Sequence, residues 1–268
     1  MSNNRPIGVF DSGLGGLTVV KELNRLLPDE DIVYFGDTGR VPYGNRSRET
    51  IRRYAKEDEA FLLKQDVKVI IAACGTVSSV AADISETLPI PFFEVVSHAS
   101  KAAVKASKNG KIGVIGTAAT IKSGKHREYI LKENPNATVV CQSCPLFVPL
   151  VEEGWYSAED GVVIETVRRY LEPMLDAEID TLILGCTHYP VLSEAISRVL
   201  GDKVTLINAG TATAEVVSEF LKKNAMMSQN TGGKAEFYVS DKADSFRFEA
   251  SLLLGREIDD NKVKLVSL

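Results

Sequence analysis

Two of the four cysteines stand in closely similar surroundings, Val69-Ile70-Ile71-Ala72-Ala73-Cys74-Gly75-Thr76 and Thr181-Leu182-Ile183-Leu184-Gly185-Cys186-Thr187-His188. Each ends a short apolar run that reads as a buried strand, and each closely precedes a threonine. A matched pair of thiols can do what one cannot: invert a carbon that bears hydrogen. A thiolate removes the proton from one face while a thiol delivers another to the opposite face. Free cysteine titrates near about 8.5, and a place at a helix N-terminus lowers that value toward neutrality, so the pair suits acid/base work. A helix is therefore expected to open after each cysteine, with free amides that could also hold a carboxylate. One such cysteine would more simply be a core residue, since cysteine is among the most often buried side chains. Two at equivalent positions favour chemistry.

The remaining thiols, Cys141 and Cys144, have the spacing of half a zinc site. No second pair or nearby histidine completes a four-ligand set, so burial is expected there and no metal. Four cysteines in a chain of 268 residues also do not make a disulfide scaffold, and in a reducing compartment they stay thiols.

The elements that must carry these residues follow from the hydropathy pattern. Ile7 to Phe10, Ile32 to Phe35, Val69 to Ala73, Ile112 to Ile115, Val139 to Cys141, Leu182 to Leu184 and Val204 to Ile207 read as buried strands. Helical spacing connects Leu17, Val20, Leu23 and Leu27, and again Ile51, Tyr54, Asp58 and Leu62; Ser157 before Asp160 reads as a further helix start. Strand and helix in alternation give an α/β fold of mostly parallel sheets flanked by helices, with ligands beyond the carboxyl ends of the strands. The chain also repeats itself. Ile7-Gly8-Val9-Phe10-Asp11-Ser12 is echoed by Ile112-Gly113-Val114-Ile115-Gly116-Thr117, in the same order and at a similar distance before a cysteine. Two pseudo-symmetric domains are expected, presenting Cys74 and Cys186 from opposite sides of one cleft.

Composition narrows the ligand. The hydrophobic share of 44% supports a sizeable core, and 31 basic against 36 acidic residues give a net charge of -5 with no long like-charged run. Nothing there draws a nucleic acid or an anionic membrane, so a small molecule is the expected partner. Met1 to Pro6 is polar, and no signal-peptide core or stretch of about 20 apolar residues occurs, which predicts a cytoplasmic protein. The main rival is a dinucleotide-binding oxidoreductase, because Gly13-Leu14-Gly15 follows a strand and Asp37 ends the next one. Against it, Thr18 occupies the third glycine position, Asp11 would set a negative charge beside a pyrophosphate, and paired cysteines have no role in hydride transfer.

Five strings in order resemble the glutamate racemase family: Phe10-Asp11-Ser12-Gly13-Leu14-Gly15-Gly16; Gly36-Asp37-Thr38 with Val41-Pro42-Tyr43-Gly44; Ala73-Cys74; Cys144-Pro145-Leu146-Phe147-Val148-Pro149-Leu150-Val151-Glu152-Glu153-Gly154; and Leu184-Gly185-Cys186-Thr187-His188-Tyr189-Pro190. The resemblance spans nearly the whole chain. It implies Cys74 and Cys186 as the two acid/base groups, and substrate contacts from Asp11, Ser12, Tyr43, Gly44, Gly75, Thr76, Thr187 and His188. It further implies catalysis without pyridoxal phosphate or metal, D-glutamate for peptidoglycan as the product, and two α/β domains with the site between them. The last segment returns to the first domain, giving residues 1–96 with 209–268 and residues 97–208; a homodimer stays open.

Asp11 could hold the substrate ammonium and assist Cys74, while His188, two residues past Cys186, could assist that thiol. Simpler roles exist for both, as a helix cap and a structural histidine. Asp37 and one of Glu152 or Glu153 are candidates to tune or close the site. The α-proton of an amino acid is far less acidic than a thiol, so fixed donors must stabilise a carbanion-like state. Helix N-termini and the hydroxyls of Ser12, Thr76, Thr117, Thr120 and Thr187 are available for this.

Two positions depart from the family pattern. Gly75 stands where an asparagine is usual, and Asn208-Ala209-Gly210 replaces an aspartate and serine. Both leave room for a shifted substrate such as aspartate, for reduced activity, or for a non-catalytic binding protein on the same fold.

Overall fold

The computed structural model describes residues 3–81, 83, 88–241, 246, 250–251, 253–258 and 262–268. Uninterrupted apolar runs build strands buried on both faces, β1 (Ile7–Asp11), β2 (Ile32–Gly36) and β3 (Val69–Ala72). A short β4 (Phe92–Glu94) follows them. The helices between are α1 (Leu17–Leu26), α2 (Arg48–Lys64) and α3 (Gly75–Val80). Helix α1 buries Leu17, Val20 and Leu23, as its spacing predicts, and α2 buries Ile51 and Leu62. Ser47 caps α2 by accepting a hydrogen bond from the Thr50 amide at 3.2 Å. The carboxylate of Glu94, at the end of β4, accepts from the amides of Val96 and Ser97 and so starts α4 (Val95–Ala106).

The second half comprises β5 (Lys111–Gly116), α5 (Ala118–Ser123), α6 (Lys125–Glu133), β6 (Thr138–Ser143), α7 (Phe147–Glu152) and α8 (Gly161–Asp176). It continues through β7 (Thr181–Leu184), α9 (Ser193–Leu200), β8 (Thr205–Asn208) and α10 (Ala209–Lys223), before β9 (Ala235–Val239) and β10 (Val263–Leu265).

Two sheets result, ordered β10-β9-β2-β1-β3-β4 and β6-β5-β7-β8. Every pairing is parallel. The order β2-β1-β3-β4 recurs as β6-β5-β7-β8, and the register repeats with it: Ile7 faces Val69 as Ile112 faces Thr181. The internal echo in the sequence therefore marks two structurally equivalent halves. Strands β9 and β10 extend only the first sheet.

Three local expectations need correction. Ser157 does not cap α8; Asp160 does, its Oδ1 accepting from the Val162 amide at 2.7 Å, while Ser157 turns back to the Glu159 amide. No α-helix opens at Thr187: a turn leads into a 3-10 helix at Tyr189–Leu192, with Pro190 in its first turn, and α9 begins only at Ser193. The strands β4, β9 and β10 stand outside the seven apolar runs.

At the end of the first sheet away from the cysteines, Lys68 and Glu30 form an ion pair with both side chains fully buried. The Lys68 ammonium also donates to the carbonyls of Asn3 and Met226, each at 2.8 Å, and Glu30 Oε1 accepts from the Ser228 amide at 2.7 Å. These bonds tie the start of the chain and the segment after α10 to the same sheet, with the desolvated charges fully partnered.

Candidate active site

Cys74 and Cys186 each lie two residues beyond the last residue of a central strand, β3 and β7. These strands are equivalent in the two halves, so the thiols reach one cleft from related positions. Both line a single cavity of about 210 Å³, together with Ser12, Tyr43, Gly44 and Thr76 from the first half. Thr117, Thr187, His188 and Glu152 line it from the second. Cys74 is 5% exposed and Cys186 9%, which leaves each sulfur a narrow face toward the cavity.

The surroundings of the thiols differ. Cys74 is the residue before α3, and its Sγ donates to Ser12 Oγ at 3.5 Å. Burial, and next the negative charge of Asp11, push this thiol up to about 12; the Ser12 contact and the Val77 amide act weakly the other way. Cys186 Sγ lies 3.9 Å from His188 Nδ1. Burial alone would lower the histidine, but the Cys186 and Glu152 contacts and the nearby charge of Asp11 outweigh it and raise it to about 10. These neighbours favour the protonated imidazole. Glu152 Oε1 stands 3.4 Å from His188 Nε2, within ion-pair distance but without hydrogen-bond alignment.

Asp11 lies behind the cavity wall, 1% exposed. Its Oδ2 accepts from the Gly13 amide at 3.0 Å while Oδ1 has no partner. Burial raises its carboxyl, opposed chiefly by His188 and by backbone amides of the glycine turn. It does not cap α1, whose N-cap is Gly16. Thr76 Oγ1 meets Thr117 Oγ1 at 3.1 Å, and Thr117 Oγ1 meets Thr120 Oγ1 at 3.0 Å, a chain of hydroxyls running across the cleft between the halves. Thr120 stands behind Thr117 and does not itself line the cavity.

Asp37 is fully buried and holds Tyr43 rather than the cavity: it accepts from the Tyr43 hydroxyl, from Arg40 Nε at 2.6 Å and from Ser240 Oγ at 2.7 Å. Arg40 also bonds Glu57 and Asp58 and stacks over the Tyr54 ring at 4.1 Å. The Tyr43–Gly44 corner is therefore pinned by a polar network beneath it. Glu153 is exposed and points away from the cavity, onto an outer groove beside Trp155. The cavity also takes in Val41, Asn45, Pro145, Val148, Pro149 and Tyr189, which residue chemistry alone does not single out. Their signal in the sequence is membership of the family-like strings, except for Asn45, which directly follows one. Tyr189 is fully buried, with its hydroxyl donating to the Cys144 carbonyl at 2.9 Å.

The dinucleotide reading fails on geometry. A β-carbon on Gly15 would collide with Thr187 Oγ1 and stand 2.7 Å from His188 Nδ1, so the glycine turn is packed against the second half instead of lying open to a pyrophosphate. Asp37, the residue that would meet a ribose, is sealed among its partners. Among the described residues no group of three or more His, Cys, Asp or Glu side chains is arranged to hold a metal ion. No helix among them is long and apolar enough to cross a membrane.

The family model for Asp/Glu/hydantoin racemase matches residues 7–217. The chain belongs to this family. A glutamate racemase of Geobacter metallireducens is 42% identical over 258 residues, 96% of this chain and 95% of that protein. Among solved structures, a glutamate racemase isoform of Bacillus anthracis superposes with a TM-score of 0.94 at 37% identity, covering 99% of this chain and 98% of that one. The glutamate racemase of Francisella tularensis, solved with D-glutamate, gives 0.91 at 40% identity, covering 98% of each. The family match places both cysteines, Asp11 and His188 within its span, so the whole cleft belongs to the shared part of the chain.

Proposed function

We propose that this chain interconverts L- and D-glutamate, with Cys74 and Cys186 as the two acid/base groups and no bound cofactor. The observation that carries the reading is the shared cavity: two thiols at the ends of equivalent strands border one pocket of about 210 Å³ from opposite halves. Glutamate racemases about 40% identical over nearly the full chain support glutamate as the substrate. The division into residues 1–96 with 209–268 and residues 97–208 is supported by sheet membership, with α4 bridging the two.

In one direction the thiolate of one cysteine takes the α-proton and the thiol of the other delivers a proton to the opposite face. The reverse reaction uses the opposite protonation states, so each cysteine serves as base once and as acid once. Asp11 beside Cys74 and His188 beside Cys186 give the two thiols neighbours of opposite sign. The bound ammonium would sit on the Asp11 side, where its charge offsets the carboxylate that raises Cys74. Among the described residues no lysine or arginine lines the cavity, and the donors there that could hold the substrate carboxylates are the hydroxyls of Ser12, Thr76, Thr117 and Thr187, backbone amides and His188. Such fixed donors stabilise negative charge on a carbanion-like state in a site from which water is excluded.

Purified protein with no added cofactor is to be tested with both enantiomers of glutamate and of aspartate, following optical rotation by circular dichroism. Turnover of glutamate in both directions supports the reading. Turnover of aspartate alone overturns the substrate, and no turnover of either overturns the activity. Supply of D-glutamate to peptidoglycan rests on the family resemblance.

A further inference from the structure

The helical stripe of α2 carries an acid among its apolar members. Asp58 shares the buried face with Ile51, Ala55 and Leu62, and its side chain has no exposure to solvent. The charged and titratable groups around it are Asp37 just beyond β2, Arg40 and Tyr43 in the loop that follows, and Glu57 on α2 itself. From β1, β2 and α3, the elements packed against α2, Phe10, Phe35 and Val77 join this side of the core with the thiol of Cys74.

Arg40 brings one positive charge to three carboxyl groups, those of Asp37, Glu57 and Asp58. The Glu57 side chain is 40% exposed and keeps its charge against solvent. Asp37 is enclosed but well supplied, with Arg40 Nε, Ser240 Oγ and the Tyr43 hydroxyl all donating to it. Asp58 Oδ1 has one contact from Arg40, at 3.3 Å. Its Oδ2 lies 3.2 Å from the Tyr43 hydroxyl, whose single hydrogen is already given to Asp37. Two oxygens at that distance need a hydrogen between them, and Asp58 is the group left to supply it. Burial, and next the charge of Asp37, also raise the Asp58 carboxyl well above its usual range, against Arg40 and the Tyr43 contact.

We propose that Asp58 is a neutral carboxylic acid in the folded protein and a positioning residue: it donates its hydrogen to the Tyr43 hydroxyl, which donates in turn to Asp37. The two bonds run in one direction and fix the hydroxyl, and Tyr43 with Gly44 forms a corner of the substrate cavity. The effect on turnover rests on the racemase reading above; the protonation does not.

An unfolded aspartate titrates near about 3.9, so above that pH folding takes up a proton at Asp58, and stability from this site falls as pH rises toward the folded value. Relative to a variant with no acid at 58, the wild-type unfolding constant should therefore grow about tenfold per pH unit. Urea denaturation of wild type and Asp58→Asn should show this ratio rising about 100-fold from pH 5 to pH 7, with Asp58→Leu as the second reference if the asparagine variant fails to fold. A flat ratio means an ionised Asp58 and overturns the proposal. Asparagine can still donate to Tyr43 through its amide, and leucine cannot. In the circular dichroism assay KM for glutamate should stay at the wild-type level in Asp58→Asn and rise about 3- to 10-fold in Asp58→Leu, the worth of one hydrogen bond. A wild-type KM in the leucine variant, or an equal rise in both variants, overturns the positioning role. Should the wild type itself racemise no glutamate, the functional reading fails, and the denaturation ratio still decides the proton on Asp58.

Discussion

The thiol of Cys74 offers a quantitative handle on the cleft before any turnover is measured. Burial and the Asp11 carboxylate push it up from 9.0 to about 12 in the ligand-free protein. At pH 8 roughly one thiol in ten thousand is then ionised, against about one in ten at the ordinary value, a deficit of about 1,000-fold. A more basic thiolate is also more nucleophilic, with a Brønsted slope of about 0.4–0.5, which returns about 20- to 30-fold. Alkylation of Cys74 by iodoacetamide should therefore run about 30- to 60-fold slower than that of an ordinary thiol at pH 8, before any steric shielding. Shielding is removed by reading the slope instead of the rate. In a Cys186→Ala background, mass spectrometry of the Cys74 peptide between pH 7 and 10 should give a tenfold rise in rate per pH unit, with no plateau by pH 10. Asp11→Asn deletes the second cause and leaves burial, so its curve should bend at lower pH. A plateau near pH 9 with Asp11 intact would refute the electrostatic picture of the site.

Cys74→Ala and Cys186→Ala should each abolish net racemisation, by at least the ~10²-fold that acid/base placement contributes, while leaving a cooperative denaturation curve; wild-type rates in either variant exclude the two-thiol scheme. His188 is raised from 6.5 to about 10, so its imidazolium contributes stability that is complete below pH 6.5 and is lost as pH rises toward 10. Urea denaturation should accordingly show the stability gap between wild type and His188→Gln closing over that window, and a gap constant with pH would contradict it. Lys68→Met strands the Glu30 carboxylate in the core and should cost about 3–5 kcal/mol of unfolding free energy. Because the pair lies at the far end of the sheet, kcat measured well below the unfolding transition should be unchanged.

The site was readable in the sequence to the extent that it consists of strand ends. Buried parallel strands are written as short runs of apolar residues, with an occasional glycine, so β1, β3, β5 and β7, and the cysteines just past two of them, stand out in the sequence. The repeat survives because both halves use the same strand order and register. Strands at the sheet edges, and β9 beside one of them, leave a fainter trace. β4 has three residues, β9 alternates buried and exposed positions, and β10 has one half-buried residue in three, so none forms an apolar run. The helix expected at Thr187 does not form there because Pro190, lacking an amide hydrogen, stands in the tightened turn that starts at Tyr189. Roles set by contacts distant in sequence are invisible to local pattern. Asp37 sits at a strand end like Asp11, yet Arg40, Tyr43 and Ser240 enclose it, so it supports the wall of the cavity rather than facing it.

Isotope entry from solvent tests the central claim most directly. With L-glutamate in heavy water, the D-glutamate formed in the first few per cent of reaction should carry deuterium at the α-carbon, while the remaining L-glutamate keeps its hydrogen, and the mirror experiment from D-glutamate should give the mirror result. Product that retains the original hydrogen, or early deuterium in substrate and product alike, would mean that one group works both faces, and Cys74 and Cys186 would not be the pair described.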